Sequence, residues 1–256
     1  MRLALLLVLV LRAAALAPCA QEPQPIPPAP TPGTAPPQPA APSQQPPSQP
    51  PPAQIRSLSV VVLDAAHGGT DGGARGANGI IESEVVLNLA QQLRAELERQ
   101  GFRVVYTRQG NENPTFDDRS AVANRQRNAV FISLHVSSVG TPGTVRAYSM
   151  PATASAGPRS ALLAWDQAQG PYAEMSRRMA ELVQVQLALR FRGSLEVPAY
   201  APVRQLRTVA EPAIAIEVSS VSVAQRSRLD QMAAPLADAV ARALAAFRPL
   251  YEAGAK

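Results

Sequence analysis

Apolar residues along this chain follow two rhythms. Leu58 to Asp64 is an apolar, β-branched run without alternation, which predicts a strand covered on both faces. From Glu82 to Gln100 the rhythm changes. Val85, Leu89, Leu93 and Leu97 recur every four residues, the spacing of a helix with one apolar face, and Gly101 stands where a helix usually stops. Phe102 to Thr107 predicts a second strand, and a polar loop with Asn111, Asn113 and Pro114 follows. Asp117 to Asn128 predicts a second helix, its early acids complementing the helix dipole. Ala129 to His135 is the third strand. Strand, helix, strand, helix, strand calls for a parallel sheet with crossover helices.

The pattern continues with Gly143 to Met150, expected as an antiparallel or edge strand. Residues 151 to 171 are loop-like. Tyr172 to Leu189 reads as an amphipathic helix, Ala213 to Val218 as a buried strand and Leu229 to Phe247 as an alanine-rich helix. The fold class expected is α/β: a mixed, mostly parallel twisted sheet flanked by helices. It forms a single catalytic domain over residues 56 to 250, with 251 to 256 as a disordered tail.

Composition changes the picture ahead of that domain. Arg2 precedes an almost unbroken Leu/Val/Ala run at Leu3 to Leu11, and small residues follow at Ala13 to Ala20. This is the layout of a secretory signal peptide, and the run is too short to span a bilayer. Residues 1 to 20 are therefore expected to be a signal peptide, with cleavage after Ala17 or Ala20. Fifteen of the 32 positions from 22 to 53 are proline, so no helix or sheet can form there. Residues 21 to 55 are expected to be a disordered, polyproline-like linker. Cys19 is the only cysteine, so an internal disulfide is excluded. Its setting, Leu16-Ala17-Pro18-Cys19, loosely matches a lipid-attachment box, which leaves a membrane tether open. The net charge of +5 comes almost wholly from arginine, and no dense basic run interleaved with aromatics suggests a nucleic-acid groove. No nucleic-acid partner is expected. Export to the periplasm or cell envelope, or secretion, is.

The candidate chemistry begins with scarcity. The chain has two histidines, His67 and His135, and each closes an apolar run. Open α/β sheets build their sites beyond the carboxyl ends of strands, and imidazole is the commonest metal-ligating side chain. One such histidine alone would be read as a hydrogen-bonded core residue; two at equivalent strand ends point to a shared site. Glu82 opens the first long helix fifteen residues after His67, with Glu84 as the competing acid. Glu217 ends the apolar run AIAIE, where a carboxylate is costly unless paired, metal-bound or catalytic. Two imidazoles and a carboxylate are a usual catalytic zinc set, and a second carboxylate supplies a general base. The reaction class this predicts is metal-assisted hydrolysis of an amide or ester.

The stretch VVVLDAAHGGTDGGARGANGIIESEVVLNLA resembles the opening signature of the zinc-dependent N-acetylmuramoyl-L-alanine amidases of the cell-separation type. The likeness continues through YTR at 106 to 108, DRSAVAN at 118 to 124, AVFISLH at 129 to 135 and PAIAIEVS at 212 to 219. It implies His67, Glu82 and His135 as ligands of one Zn2+ ion and Glu217 as catalytic acid/base. It also implies peptidoglycan as substrate, the bond cut being the amide between N-acetylmuramic acid and the L-alanine of the stem peptide. The chain departs from the family pattern at Ala65-Ala66, Val136-Ser137-Ser138 and Val218 to Val221. A peptidoglycan-binding module without catalysis and a zinc hydrolase of another amide are the alternatives. A monomer is expected, and a protein activator stays open. Some relatives carry an insertion at the position of 151 to 171 that covers the zinc. Ala161 to Asp166 is read either as such a cover, its acid reaching the metal, or as an ordinary loop.

Overall fold

The computed structural model describes residues 57–151 and 164–254. The expected signal peptide, proline-rich linker and Cys19 lie outside the described residues. Six strands form one sheet: β1 (Val60–Ala65), β2 (Arg103–Tyr106), β3 (Ala129–Ser137), β4 (Val145–Ser149), β5 (Ala199–Tyr200) and β6 (Ala213–Ser219). Their spatial order is β2-β1-β3-β6-β4-β5. The pairs β1–β2, β1–β3 and β3–β6 are parallel, β4 runs antiparallel to β6, and β5 parallel to β4. The mixed, mostly parallel sheet is thus the one the apolar runs imply. β4 is antiparallel but not the edge; the two-residue β5, too short to leave a periodic signal, covers it.

All six residues of β1 are buried, because helices lie on both faces of the sheet. On one face pack α1 (Glu82–Arg99), α3 (Ala173–Arg190) and α6 (Ala233–Gly254); Val61, Leu63, Ile132, Ile214 and Ile216 meet Leu89, Leu93, Val183 and Leu244 there. On the other lie α2 (Phe116–Asn124) and the one-turn α4 (Arg204–Arg207), over Val60, Val62, Phe131 and Ala215. A further short helix, α5 (Ser227–Asp230), leads into α6. The alternation of side chains along each strand therefore divides a large apolar core from a smaller, partly polar face.

Several boundaries move. α2 begins one residue early because Thr115 caps it, accepting from Asp118 N at 3.1 Å while the Asp118 carboxylate accepts from Thr115 N. It ends at Asn124, short of the expected Asn128, whose φ of +56° is outside the helical region. The tail expected at 251–256 is corrected in part. α6 runs on to Gly254, and Tyr251 is buried with its ring 6.2 Å from that of Phe247. The apolar contact of Tyr251 one turn beyond Phe247 holds that last stretch helical.

Beneath the polar face lies a buried ion pair. Arg119 Nη1 meets Asp64 Oδ1 at 2.6 Å, and both side chains are almost wholly buried. Thr107 and Ser133 hydroxyls donate to the same carboxylate at 2.6 and 2.7 Å. Breaking such a pair leaves a charge without compensation. Arg119→Ala is expected to lower unfolding stability by about 3–5 kcal/mol in urea titration; a loss below about 1 kcal/mol would show that Asp64 is neutralised by its hydroxyl donors alone.

Candidate metal centre

The site sits on the smaller face, at the carboxyl ends of β1, β3 and β6. β1 delivers the chain to His67, which adopts φ +62°, a left-handed conformation that costs a non-glycine residue free energy. Two buried arginines hold it there. Arg119 donates to the carbonyls of Ala65, His67 and Pro114, and Arg108 to those of Ala65, Ala66 and Ser83. The loop then folds back over its own strand. Gly73, at φ +68°, passes so close that a Cβ would lie 2.5 Å from Glu82 Oε2 and 2.7 Å from His67 Cδ2. A side chain at this position would therefore fill the space between two candidate ligands.

Glu82 is the first residue of α1 and is 4% exposed. Its carboxylate is fastened on both oxygens. Ala74 N donates to Oε2 at 2.7 Å and Val136 N to Oε1 at 2.9 Å. The same oxygens face the imidazoles: His67 Nε2 lies 3.3 Å from Oε2, and His135 Nδ1 3.2 Å from Oε1. Burial by itself would raise the Glu82 pKa, but the bonds to His135 and His67 outweigh it and hold the carboxyl well below the usual carboxylate range. Glu84, the competing acid, points away to an ion pair with Arg226 at 2.6 Å. Two residues apart on a helix is about 200° of rotation, so the two acids cannot share a face. Among the described residues, one ligand atom each from His67, Glu82 and His135 lie within 4.8 Å of one another, the arrangement that can hold a metal ion.

The donor set also has its supporting contacts. His67 Nδ1 lies 2.8 Å from Asp71 Oδ2, leaving Nε2 toward Glu82. A carboxylate behind a ligating imidazole sets its tautomer and orientation. Asp71 escaped the sequence reading, although an acid four residues after His67 in a glycine-rich loop was a usable signal. Asp71→Asn is expected to weaken metal affinity by about 10–100-fold with the fold intact, measured by competition with a chelating dye; unchanged affinity would remove Asp71 from the site.

Hydrogen bonding to Glu82 raises the His67 pKa most, burial opposes it, and Asp71 adds to it, leaving the imidazole at about 9. The folded value exceeds the ordinary 6.5, so protonated His67 stabilises the metal-free fold fully below pH 6.5, and that contribution fades as pH rises through about 9. A metal must displace this proton. Metal affinity is accordingly expected to rise roughly tenfold per pH unit between neutrality and about 9. A flat profile by titration calorimetry would contradict the proton-holding role of Glu82.

Glu217 is the register neighbour of His135 on the adjacent parallel strand, so both side chains stand on one face. Tyr148, on β4, donates its hydroxyl to Glu217 Oε1 at 3.3 Å. Burial and then the nearby Glu217 charge push the Tyr148 pKa upward, so it remains a protonated donor at neutral pH. Tyr148 also went unnoticed in the sequence, because only strand pairing brings it to Glu217. β3 and β6 extend past His135 and Glu217, which lie within their strands rather than at the final residue. The departures at Val136 and Val218 are harmless to the cluster, since both side chains enter the opposite core and Val136 serves Glu82 through its backbone. Asp166 is exposed in a short 3-10 turn and is not part of the cluster; Ala161 to Leu163 of that expected cover lie outside the described residues. Beside His67 a cleft continues past Asp71, Asn113, Phe116 and Gln205.

Fold and site together define the class: an α/β domain carrying a two-histidine, one-glutamate cluster able to hold a metal ion, with a further carboxylate on the same sheet face. The family model described as N-acetylmuramoyl-L-alanine amidase matches residues 61–246, and the chain belongs to that family. It is 39% identical over 83 residues to the N-acetylmuramoyl-L-alanine amidase AmiA of Escherichia coli, a match covering 32% of this chain and 29% of AmiA. It is 35% identical over 83 residues to AmiC of Neisseria meningitidis, covering 32% of this chain and 20% of AmiC. These matches thus span less than a third of either curated relative. Among solved structures, AmiC2 of Nostoc punctiforme superimposes with a TM-score of 0.57 at 24% identity, over 74% of this chain and 97% of that one. Ami1 of Mycobacterium smegmatis gives 0.58 at 21%, over 76% and 98%. At these identities the structural likeness speaks for the fold.

Proposed function

We propose that this protein is a zinc-dependent hydrolase of peptidoglycan, cutting the amide between N-acetylmuramic acid and the L-alanine of the stem peptide. In this reading His67, Glu82 and His135 hold one zinc ion, and Glu217 is the catalytic acid/base. The observation that carries it is the pairing of His135 with Glu217 on one sheet face, within a chain of the amidase family. The His-Glu-His donor set, two half-buried imidazoles around a buried carboxylate and closed over by Gly73, suits a small divalent cation with nitrogen and oxygen ligands. When bound, zinc supplies a Lewis acid that polarises the scissile carbonyl and acidifies water.

The chain's own groups do the rest. Glu217 accepts a proton from the attacking water as the carbon–oxygen bond forms. It then returns that proton to the alanine nitrogen as the carbon–nitrogen bond breaks, leaving a lactyl carboxylate on the glycan and a free amine on the peptide. The Tyr148 hydroxyl holds the Glu217 carboxylate in place. Residues 1–20 export the chain and 21–55 space the domain from its point of attachment or exit, which places the activity in the cell envelope. Among the described residues no helix is long and apolar enough to cross a membrane.

Purified protein incubated with zinc and muropeptides is expected to release free stem peptides detectable by mass spectrometry. Binding to sacculi without release would replace this reading with that of a wall-binding module.

A further inference from the structure

The face that carries His135 and Glu217 continues onto β4, and there it presents a cation that the reaction above does not use. Arg146 is the register partner of Glu217 across the antiparallel β4–β6 ladder. Directly opposed residues of such a pair share a face. Tyr148, two residues further along β4, lies on that face too and takes up the Glu217 carboxylate. Arg146 is left half-buried with donors to spare. Its Nη2 donates to Pro198 O at 3.4 Å, and its Nε is buried with no hydrogen-bond partner. Among the described residues no carboxylate forms an ion pair with it. A buried guanidinium N–H without an acceptor is costly, and the planar fork of donors matches a carboxylate on two atoms.

We propose that Arg146 binds a free carboxylate of the peptide leaving group and makes that carboxylate a determinant of substrate choice. The inference rests on the amide-hydrolysis reading of the site. The chemistry of the substrate decides which half of it Arg146 meets. The lactyl carboxyl of muramic acid is consumed in the scissile amide, so the glycan half carries no anion near the bond. The peptide half does: the residue after L-alanine is a γ-linked D-glutamate whose α-carboxylate is either free or amidated. The opposite side of the cluster agrees with this orientation. The cleft beyond His67 offers Asn113 and Gln205 for hydroxyl and acetamido groups, and the ring of Phe116 under the Arg204 guanidinium, 4.9 Å from its centroid. The glycan thus lies toward α2 and the peptide crosses β6 to β4.

The test measures binding of the product dipeptide L-alanyl-γ-D-glutamate and of its α-amide to the zinc-loaded protein by titration calorimetry. Wild type is expected to bind the free acid at least about tenfold more tightly, as a charged hydrogen-bond pair would give. Arg146→Gln is expected to bind both forms alike, and Arg146→Lys to keep part of the preference. In turnover, Arg146→Gln is expected to lower kcat/KM for the free-acid muropeptide and to leave that for the amidated one unchanged. Equal binding of the two dipeptides by wild type, or an undiminished preference in Arg146→Gln, would overturn the proposal. So would an equal loss on both muropeptides, which marks Arg146 as a charge balance for Glu217. Absence of stem-peptide release by wild type is a separate result and bears on the amidase reading itself.

Discussion

Glu217→Gln is expected to abolish most amide hydrolysis, lowering kcat by about 10²–10⁴-fold, while the protein stays folded and retains its metal. The substitution keeps the size of the side chain and its capacity to accept from Tyr148, and removes the basicity that takes a proton from water. The carboxylate is neither a member of the His67-Glu82-His135 cluster nor part of the buried Asp64–Arg119 pair, so its loss should reach chemistry without reaching the scaffold. Two measurements decide the matter together: the rate of stem-peptide release, and the zinc content by elemental analysis. A rate within a few-fold of wild type would remove Glu217 from proton transfer. Loss of metal along with the rate would make it a ligand.

Glu82→Gln should fail in the opposite way, losing metal first and activity as a consequence. One carboxylate there serves two imidazoles and two backbone amides. An amide of the same shape cannot keep all four, because its NH2 end must face a donor. With the charge gone, zinc affinity is expected to drop more than the about 10–100-fold that loss of a supporting contact costs. The wild-type protein should gain thermal stability on adding zinc, by roughly 2.7 kcal/mol at a hundred times Kd, and the variant should gain almost none at that concentration. The His67 imidazole supplies an independent readout. Its pKa of about 9 depends first on the hydrogen bond to Glu82, so in the variant it should fall. An unchanged titration of His67 by NMR would show that Glu82 does not govern it.

Much of this site was readable along the chain because its parts are local. A run of apolar residues ending in an imidazole marks a strand that delivers a candidate ligand, and this singled out both histidines of the cluster. A helix start fifteen residues on located an acid, but left Glu82 and Glu84 both in contention. Periodicity could have chosen between them: Glu82 lies three residues before buried Val85 and four before buried Val86, on the inward side of the helix, whereas Glu84 lies on the outward side. Asp71 also lay within reach of local reasoning.

Arg146 and Tyr148 did not. They sit about 70 residues from Glu217 in sequence, and their meeting with it depends on the order β3-β6-β4 and on the register of an antiparallel pair. A shift of one residue would turn both to the other face. Arg119 is similar: in sequence it is one more arginine on a helix, and only the packing of α2 under β1 makes it the partner of Asp64 and the clamp on the His67 carbonyl.

The sequence by itself determined the elements, the sheet class, both histidines and the two acids that accompany them, because hydrophobic period and strand ends are properties of neighbours along the chain. The tertiary structure alone decided which arginine clamps the His67 carbonyl and which phenol and cation stand beside Glu217. Those depend on strand order, register and helix rotation, which bring together residues with no spacing of their own to announce them.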